Sequence, residues 1–280
     1  MNHHPIFNSF TKKSVVGNGI QTFDFLGVAT DSKYKKGMEN HAVKNGASYV
    51  ANYPPLNEHY FDWIALLNSV SHAGKIYRMA ELGAGWAPWL VRAAFAVKQL
   101  PKISGVELVG LEADITHLNW AKNHFVENSL DPRSYQLIHG VLSSQNGSVK
   151  FPKIQNPDED YGASTRQVTK NSDYIEVPGF QLKEVLTKFT GPLDLLHMDV
   201  QGAEYDVIPD AMELLSQNVK SLVVGTHISE SLHNDLYELF LNSGWSPVMI
   251  FPRNSEVSTE HGVVKFGDGF QYWINSKMTS

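Results

Sequence analysis

The chain has 280 residues, of which 42% are hydrophobic, which is enough for one large core or for a main domain with a smaller appendage. Its formal net charge is −6 and it has no basic run, so it lacks the positive surface that nucleic-acid binding requires. It contains no cysteine, which excludes disulfides and thiolate zinc sites, and no stretch approaches the roughly 20 apolar residues of a membrane span.

The N-terminal quarter of the chain differs in pattern from the rest. Residues 1–72 carry few strand signals and no apolar signal core. One amphipathic stretch, "LNEHYFDWIALLNSV", places Tyr60, Ile64, Leu67 and Val70 on one helical face. We predict a helical N-terminal cap over residues 1–72, a main domain over residues 73–280 and a cytoplasmic location.

The main domain alternates apolar strand patterns with helical patterns, which is typical of parallel βα units. The pattern predicts an α/β fold: a Rossmann-like, doubly wound, mostly parallel seven-stranded sheet with the N-terminal cap beside it. The predicted helices cover residues 87–99, 115–128, 182–189, 203–216 and 233–244. The predicted sheet strands cover residues 75–82, 106–113, 135–142, 193–200, 221–228, 246–252 and 270–275, and a hairpin pairs residues 148–151 with 174–177.

The stretch "ELGAGWAPW", from Glu81 to Trp89, follows the first predicted strand and opens the first predicted helix. In open α/β sheets a ligand binds beyond the carboxyl ends of the strands, where helix N-termini offer free amide groups. We therefore expect Gly83 and Gly85 to line a ligand. Glu112 ends the second strand, where a carboxylate can accept hydrogen bonds from two ribose hydroxyls.

The same stretch discriminates among nucleotide ligands. A dinucleotide fingerprint needs a third glycine where this chain has Pro88, and no P-loop lysine follows the glycines. S-adenosylmethionine, which has a ribose and no phosphate, fits better. Glu81 and the ring of Trp86 could favour its cationic sulfonium, although helix packing accounts equally well for Trp89.

Several segments together resemble a known family. "ELGAGWAPW", "VGLEAD", "HGVLSSQNGSVKF", "LDLLHMDVQGAEYDVI" and "LVVGTHISE" occur in the order and spacing of class I S-adenosylmethionine-dependent methyltransferases, and the set resembles the FkbM family over roughly residues 76–250. The segment from Asp199 to Glu204 is similar to that family's Asp-Val-Glu-Gly-Ala-Glu. Gln201 stands where the family usually has Glu, and His197 where it usually has Lys.

The resemblance implies roles for individual residues. It implies that the first strand's end holds the methionine moiety, that Glu112 holds the ribose, and that the ends of the second and third strands border the adenine. With Trp86 and Asp199 added to these, the predicted cofactor residues are Glu81, Gly83, Ala84, Gly85, Trp86, Glu112, Ala113, Gly140, Val141, Leu142 and Asp199.

A second group of polar residues is expected where the methyl group would lie. Alternation along "LDLLHMDV" puts His197 and Asp199 on one face, and His227 ends the next strand. We predict that Asp199, His227 and Glu204 converge as catalytic residues, one of them accepting a proton with a pKa near 6.5 if it is an unperturbed histidine. The alternatives are that Asp199 caps a helix and that His227 is a buried structural residue, as we expect for His197.

No metal site is expected. His117 and His124 are predicted on an exposed helix face, and His3 and His4 in a disordered terminus. The polar segment 152–173 is long enough to act as a lid, and the aromatic stretch 49–63 could cover the cofactor pocket.

These patterns together predict a methyltransferase that moves a methyl group from S-adenosylmethionine to a small-molecule acceptor, with a hydroxyl of a sugar or secondary metabolite implied by the resemblance. Two alternatives stay open: an NAD-dependent oxidoreductase, and a cofactor-binding module without catalysis. The oligomeric state is left open.

Overall fold

The computed structural model describes residues 3–169 and 173–278 of the chain. Before residue 59 the described chain forms two small antiparallel sheets, in which β1 (Ser14–Val16) pairs with the later strand β4 and β2 (Gln21–Phe23) pairs with β3 (Ala29–Asp31). Strand β4 spans Ser48–Val50. The expected helical cap is therefore wrong for this part, which contains short strands and 3-10 turns.

Helix α1 (His59–His72) is the predicted amphipathic helix. Its four predicted core residues are all buried, as expected, but so are side chains on its other faces, including Phe61, Asp62 and Trp63. The helix shares one hydrophobic core with Phe7 and Phe25 on one side and with the main sheet on the other. The predicted division at residues 72 and 73 therefore runs through a shared core.

The remaining elements follow the predicted alternation closely. In chain order they are β5 (Ile76–Leu82), α2 (Pro88–Val97), β6 (Gly105–Glu112), α3 (Ile115–Glu127), β7 (Tyr135–His139), β8 (Val141–Leu142), β9 (Gly147–Pro152), β10 (Tyr174–Phe180), α4 (Leu182–Leu186), β11 (Leu195–Met198), α5 (Glu204–Asn218), β12 (Ser221–Thr226), α6 (Glu230–Asn242), β13 (Trp245–Phe251), β14 (Ser255–Thr259), β15 (Gly262–Phe266) and β16 (Gly269–Asn275).

The central sheet has seven strands in the order β13-β16-β12-β11-β5-β6-β7. The five strands from β12 to β7 run parallel to one another. Strand β16 is antiparallel to both of its neighbours, β12 and β13, and is the one strand of this sheet that runs in the opposite direction. This confirms the Rossmann-like, mostly parallel seven-stranded sheet. The strand order reverses between β5 and β11, and ligands of such sheets bind outside the carboxyl ends of the strands at that point.

A small second sheet lies beside the main one. The predicted hairpin forms as β9 and β10, and β8 joins it in parallel to β10. The predicted run 135–142 divides between the two sheets at Gly140. Glycine is required there, since a Cβ would lie 2.5 Å from the carbonyl oxygen of Pro178. A further hairpin, β14 with β15, was not predicted.

No helix within the described residues has the length and hydropathy that crossing a bilayer requires.

Candidate active site

A cavity opens at the carboxyl ends of β5, β6 and β11, beside the point where the strand order reverses. Every residue predicted to bind the cofactor lies in its wall: Glu81, Gly83, Ala84, Gly85, Trp86, Glu112, Ala113, Gly140, Val141, Leu142 and Asp199. Of the predicted catalytic residues only Asp199 reaches the wall, and Glu204 and His227 lie behind it.

The turn after β5 is built around two glycines with left-handed backbone angles. Gly83 has φ +75°, and a Cβ on it would lie 1.9 Å from the carbonyl oxygen of Asp199. Gly85 has φ +54°, and a Cβ there would lie 3.4 Å from the ring of Tyr161. Gly83 thus lets the first strand's turn approach the backbone that follows β11, and Gly85 keeps one wall of the cavity free of a side chain.

Glu112, at the end of β6, is held by two backbone amides. Its Oε2 accepts a 2.7 Å hydrogen bond from the amide of Gly85, and its Oε1 accepts one of 2.7 Å from the amide of Asp114. A carboxylate has about four acceptor positions, so two remain for a ligand. The turn and the second strand are therefore joined by the side chain predicted to hold the ribose.

The predicted lid segment contributes to the cavity through Tyr161. Its ring stacks on His117 with a centroid distance of 4.4 Å, and meets Trp86 edge to face at 4.8 Å. Its hydroxyl donates to the carbonyl oxygen of Tyr34. The cavity encloses about 190 Å³, less than the roughly 300–1,000 Å³ of small-molecule sites. Positions 170–172 of the predicted lid lie outside the described residues.

The cavity wall is acidic. Its carboxylates belong to Glu81, Glu112, Asp160 and Asp199, and Lys35 supplies the only lysine or arginine side chain that the described residues place there. Burial raises the pKa of Glu81 to about 7, against the opposing charge of His197 and the backbone amide of Leu90. Glu81 is therefore only partly ionised at neutral pH, and His59, His117 and His197 also line the cavity, but four carboxylates against one lysine still disfavour a phosphate-bearing ligand.

The three predicted catalytic side chains form a continuous chain of contacts that begins at the cavity wall. The Nδ1 of His227 lies 2.9 Å from Oε1 of Glu204, and its Nε2 lies 3.2 Å from Oδ1 of Asp199. Asp199 also accepts a 2.8 Å hydrogen bond from the amide group of Gln201. Glu204 is fully buried, whereas 46% of the Asp199 side chain is exposed to the cavity and solvent.

The charges of this chain of contacts differ from the sequence-based expectation. Burial acts to lower the pKa of His227, but the hydrogen bonds to Asp199 and Glu204 and their charges raise it to about 10. Burial also acts to raise the pKa of Asp199, and the hydrogen bond and charge of His227 hold it below its ordinary value. His227 is therefore protonated at neutral pH on both nitrogens and cannot titrate near 6.5 as a base.

His197, expected to be structural, lies in the cavity wall. Its Nε2 is 3.0 Å from Oδ1 of Asp62 on α1, and its ring packs against Trp89 with a centroid distance of 5.7 Å. Sequence reasoning missed Asp62, His59 and Tyr161. The signal available for Asp62 was a lone carboxylate within the apolar run "HYFDWIALL".

The remaining histidines correct two expectations. His117 and His124 are buried on α3 rather than exposed, and His4 is ordered, with its Nδ1 accepting a hydrogen bond from the amide of Ile6. His3 is also ordered, with its ring packed edge to face against Tyr53. Across residues 3–169 and 173–278, no three His, Asp or Glu side chains are grouped so that they could hold a metal ion.

Comparisons with known proteins show similarity to methyltransferases. Residues 18–244 match the family model described as the methyltransferase FkbM domain. A protein of Jannaschia sp. (strain CCS1) named "Putative methyltransferase" is 31% identical over 200 residues, which cover 68% of this chain and 70% of that protein.

Two solved structures of similar fold are a methyltransferase FkbM from Methylobacillus flagellatus KT and a precorrin-6y C5,15-methyltransferase from Geobacter metallireducens GS-15. The first has a TM-score of 0.47 at 11% identity, covering 72% of this chain and 44% of that one. The second has a TM-score of 0.42 at 12% identity, covering 75% and 86%.

The family model spans most of the chain and covers every residue in the cavity wall. Methyl transfer is therefore favoured over the oxidoreductase alternative, and the chain belongs to the FkbM family of methyltransferases.

Proposed function

We propose that this enzyme transfers a methyl group from S-adenosylmethionine to a hydroxyl of a small molecule, such as a sugar or secondary metabolite. The observation that carries the proposal is the acidic, glycine-lined cavity at the ends of β5 and β6. When bound, the donor would supply an electrophilic methyl group on a positively charged sulfur.

The residues of the cavity fit such a donor. Glu112 keeps free acceptor positions for ribose hydroxyls, and Val141 and Leu142 offer an apolar surface for a base. The indole nitrogen of Trp86 is buried without a hydrogen-bond partner, which a polar ligand would satisfy. The pyrophosphate of NAD would instead face carboxylates.

The acceptor would then lie toward β11, where Asp199 reaches the cavity. In methyl transfer the protein holds donor and acceptor in line, and orientation alone supplies much of the rate. Asp199, ionised and fixed by His227 and Gln201, is suited to accept a hydrogen bond from a second polar group of the acceptor and so to orient the reacting hydroxyl. His227 and Glu204 act through Asp199 as positioning residues. The small-molecule class is supported by the net charge of −6, which disfavours nucleic acid.

Isothermal titration of the wild-type protein with S-adenosylhomocysteine and with NAD tests the donor. We expect binding of the first and none of the second, because only NAD brings phosphates to the acidic wall. Binding of NAD alone would contradict the proposal.

The acceptor class is tested with a methyl-labelled donor and a panel of glycosides and phenols, analysed for label in small molecules, nucleic acid and protein. Label found only in macromolecules would contradict the small-molecule class. Binding without any transfer would favour the non-catalytic alternative.

A further inference from the structure

A second buried nitrogen in the cavity wall, besides that of Trp86, has no hydrogen-bond partner, and it belongs to His197. His197 lies on β11, paired in register with Glu81 of β5, and its side chain is 9% exposed. Its Nε2 contacts Asp62, but its Nδ1 is buried without any hydrogen bond. Leaving such a polar atom unpaired in the interior is unfavourable. An atom of this kind in a ligand cavity indicates that a ligand group completes its bonding.

Asp62 determines which nitrogen of His197 is open. A carboxylate can only accept, so the nitrogen 3.0 Å from Asp62 Oδ1 carries the proton. In the neutral ring the lone pair is then on Nδ1. A carboxylate that orients an imidazole in this way, with the other nitrogen turned to the substrate, is the arrangement of the histidine base in serine hydrolases.

The other histidines near the cavity are less suited to accept a proton. Both nitrogens of His227 face carboxylates. His117 donates from Nε2 to the carbonyl oxygen of Pro157, and its Nδ1 lies 3.8 Å from Glu112 on the donor side. The side chain of His59 is 58% exposed, and its Nδ1 lies 3.4 Å from Asp62.

We propose that His197, oriented by Asp62, is the base that takes the proton of the acceptor hydroxyl during methyl transfer. This inference rests on the proposed function. The acceptor oxygen forms a bond to the methyl carbon, and the electron pair of the carbon–sulfur bond stays with the sulfur. The hydroxyl proton passes to Nδ1 of His197. The products are a methyl ether, a neutral thioether and an imidazolium, whose charge Asp62 balances.

Charged groups from several elements surround His197. They are Asp62 and His59 on α1, Glu81 on β5, Arg92 on α2 and Asp199 after β11. Burial acts to lower the pKa of His197, but the hydrogen bond and charge of Asp62, with the charges of Glu81 and Asp199, raise it above its ordinary value. The rate should therefore rise with pH through a pKa above 6.5.

The first test does not require an acceptor. Nitrogen-15 NMR of histidine-labelled protein, titrated from pH 6 to 9.5 with S-adenosylhomocysteine present, reports the protonation of each ring nitrogen. The His197 signals are assigned by their loss in His197→Gln. Above its pKa, we expect a proton on Nε2 and none on Nδ1, and Asp62→Asn should lower that pKa. A proton on Nδ1 of the neutral ring, or a ring charged up to pH 9.5, would overturn the proposal.

The second test measures turnover with saturating donor and the first glycoside or phenol that accepts label. His197→Gln should lower kcat about 10²- to 10⁴-fold with the affinity for S-adenosylhomocysteine retained. Asp62→Asn should lower kcat less and move the pH dependence to lower pH. His233→Gln is the matched control, since His233 is equally buried but lies on α6, outside the cavity wall, bonded to Thr226.

The outcomes separate this proposal from the proposed function. A wild-type protein that neither binds S-adenosylhomocysteine nor transfers methyl contradicts the proposed function. An active wild type whose kcat and pH dependence survive His197→Gln contradicts only the role of His197. If the affinity for S-adenosylhomocysteine depends on pH, and Asp62→Asn does not shift that dependence, the titrating group is Glu81 rather than His197. That result would contradict the role of His197.

Discussion

The two halves of the cavity are built in different ways. The half at β5 and β6 consists mainly of backbone: two glycines with positive φ and a carboxylate held by two amides. The half at β11 presents His197 and Asp199, which are held from behind by side-chain pairs, Asp62 with His197 and His227 with Asp199 and Glu204. The first half comes from contiguous motifs, whereas Asp62 and His197 are 135 positions apart. Substitutions at β5 and β6 should therefore change mainly the shape of the cavity, and substitutions near β11 should change mainly the charges of its side chains.

The largest effect should come from the contact that joins the halves. Gly83→Ala places a Cβ 1.9 Å from the carbonyl oxygen of Asp199, so the backbone must move. We expect S-adenosylhomocysteine binding to fall below detection by titration calorimetry. Gly46→Ala is the control, because Gly46 has φ +74° with no atom near its Cβ position. It should show only the strain of a left-handed residue, about 1–2 kcal/mol, and normal binding. Equal losses in both variants would mean that the contact is unimportant.

Substitutions in the charged half should separate catalysis from stability. Asp199→Asn should lower turnover by about 10²-fold, because the charged group that orients the acceptor is lost. Donor affinity and melting temperature should change little, because an amide can still bond to Gln201 and His227. His227→Asn should also destabilise the fold by about 3–5 kcal/mol, since Glu204 is left as an uncompensated buried charge. Differential scanning calorimetry, which measures the melting temperature, and turnover assays on both variants separate the loss of catalysis from the loss of stability. If Asp199→Asn melts as early as His227→Asn, Asp199 is structural.

A smaller effect is expected at Glu112. Glu112→Ala should weaken S-adenosylhomocysteine binding by about 1.5–3 kcal/mol, because a charged acceptor is lost and two buried amides lose their partner. Glu112→Gln should have an affinity between those of the wild type and Glu112→Ala. The single oxygen of its side chain can accept from one backbone amide, while its NH₂ group faces the other. Titration calorimetry measures both. A Glu112→Gln variant that binds as weakly as Glu112→Ala would show that the charge matters more than the amide contacts.

A further expected effect is a pH dependence of stability. The folded pKa of His227, about 10, lies above the ordinary 6.5, so its stabilising contribution is fully present below pH 6.5 and is lost as pH rises through 10. We expect the melting temperature to decline between pH 7 and 10 more steeply in wild type than in His227→Asn. Parallel curves would assign the decline to other groups.

The fold was largely predictable because its signals are local. The alternation from residue 76 onward and the glycine motif after β5 follow from hydrophobic period and turn chemistry, and the structure confirms them. The short strands β1 to β4 were missed because strands of three residues carry too little periodicity to register. The hairpin β14–β15 was missed for a similar reason, since it lies within a polar stretch.

The residues that line the cavity at β5 and β6 were predictable for the same reason, whereas the charges at β11 were not. Alternation placed Asp199 and His197 on one face, but the partners of His197 come from α1, which no local pattern links to β11. The raised pKa of His227 depends on Glu204 at one ring nitrogen and Asp199 at the other, and these contacts form only in the folded chain. His117 and His124 were misassigned because the burial of a helix face depends on the segments that cover it.

The placement of Asp62 on α1 has a consequence for how such enzymes diverge. The donor motifs all lie after residue 75, whereas the carboxylate that orients His197 is supplied by the helix before the first strand of the sheet. Recombination upstream of the glycine turn would exchange Asp62 together with Lys35 and His59 of the cavity wall, and would leave the glycine turn and Glu112 in place. Relatives with identical glycine motifs and unrelated N-terminal segments should then share a donor and differ in the acidity of the acceptors they can methylate.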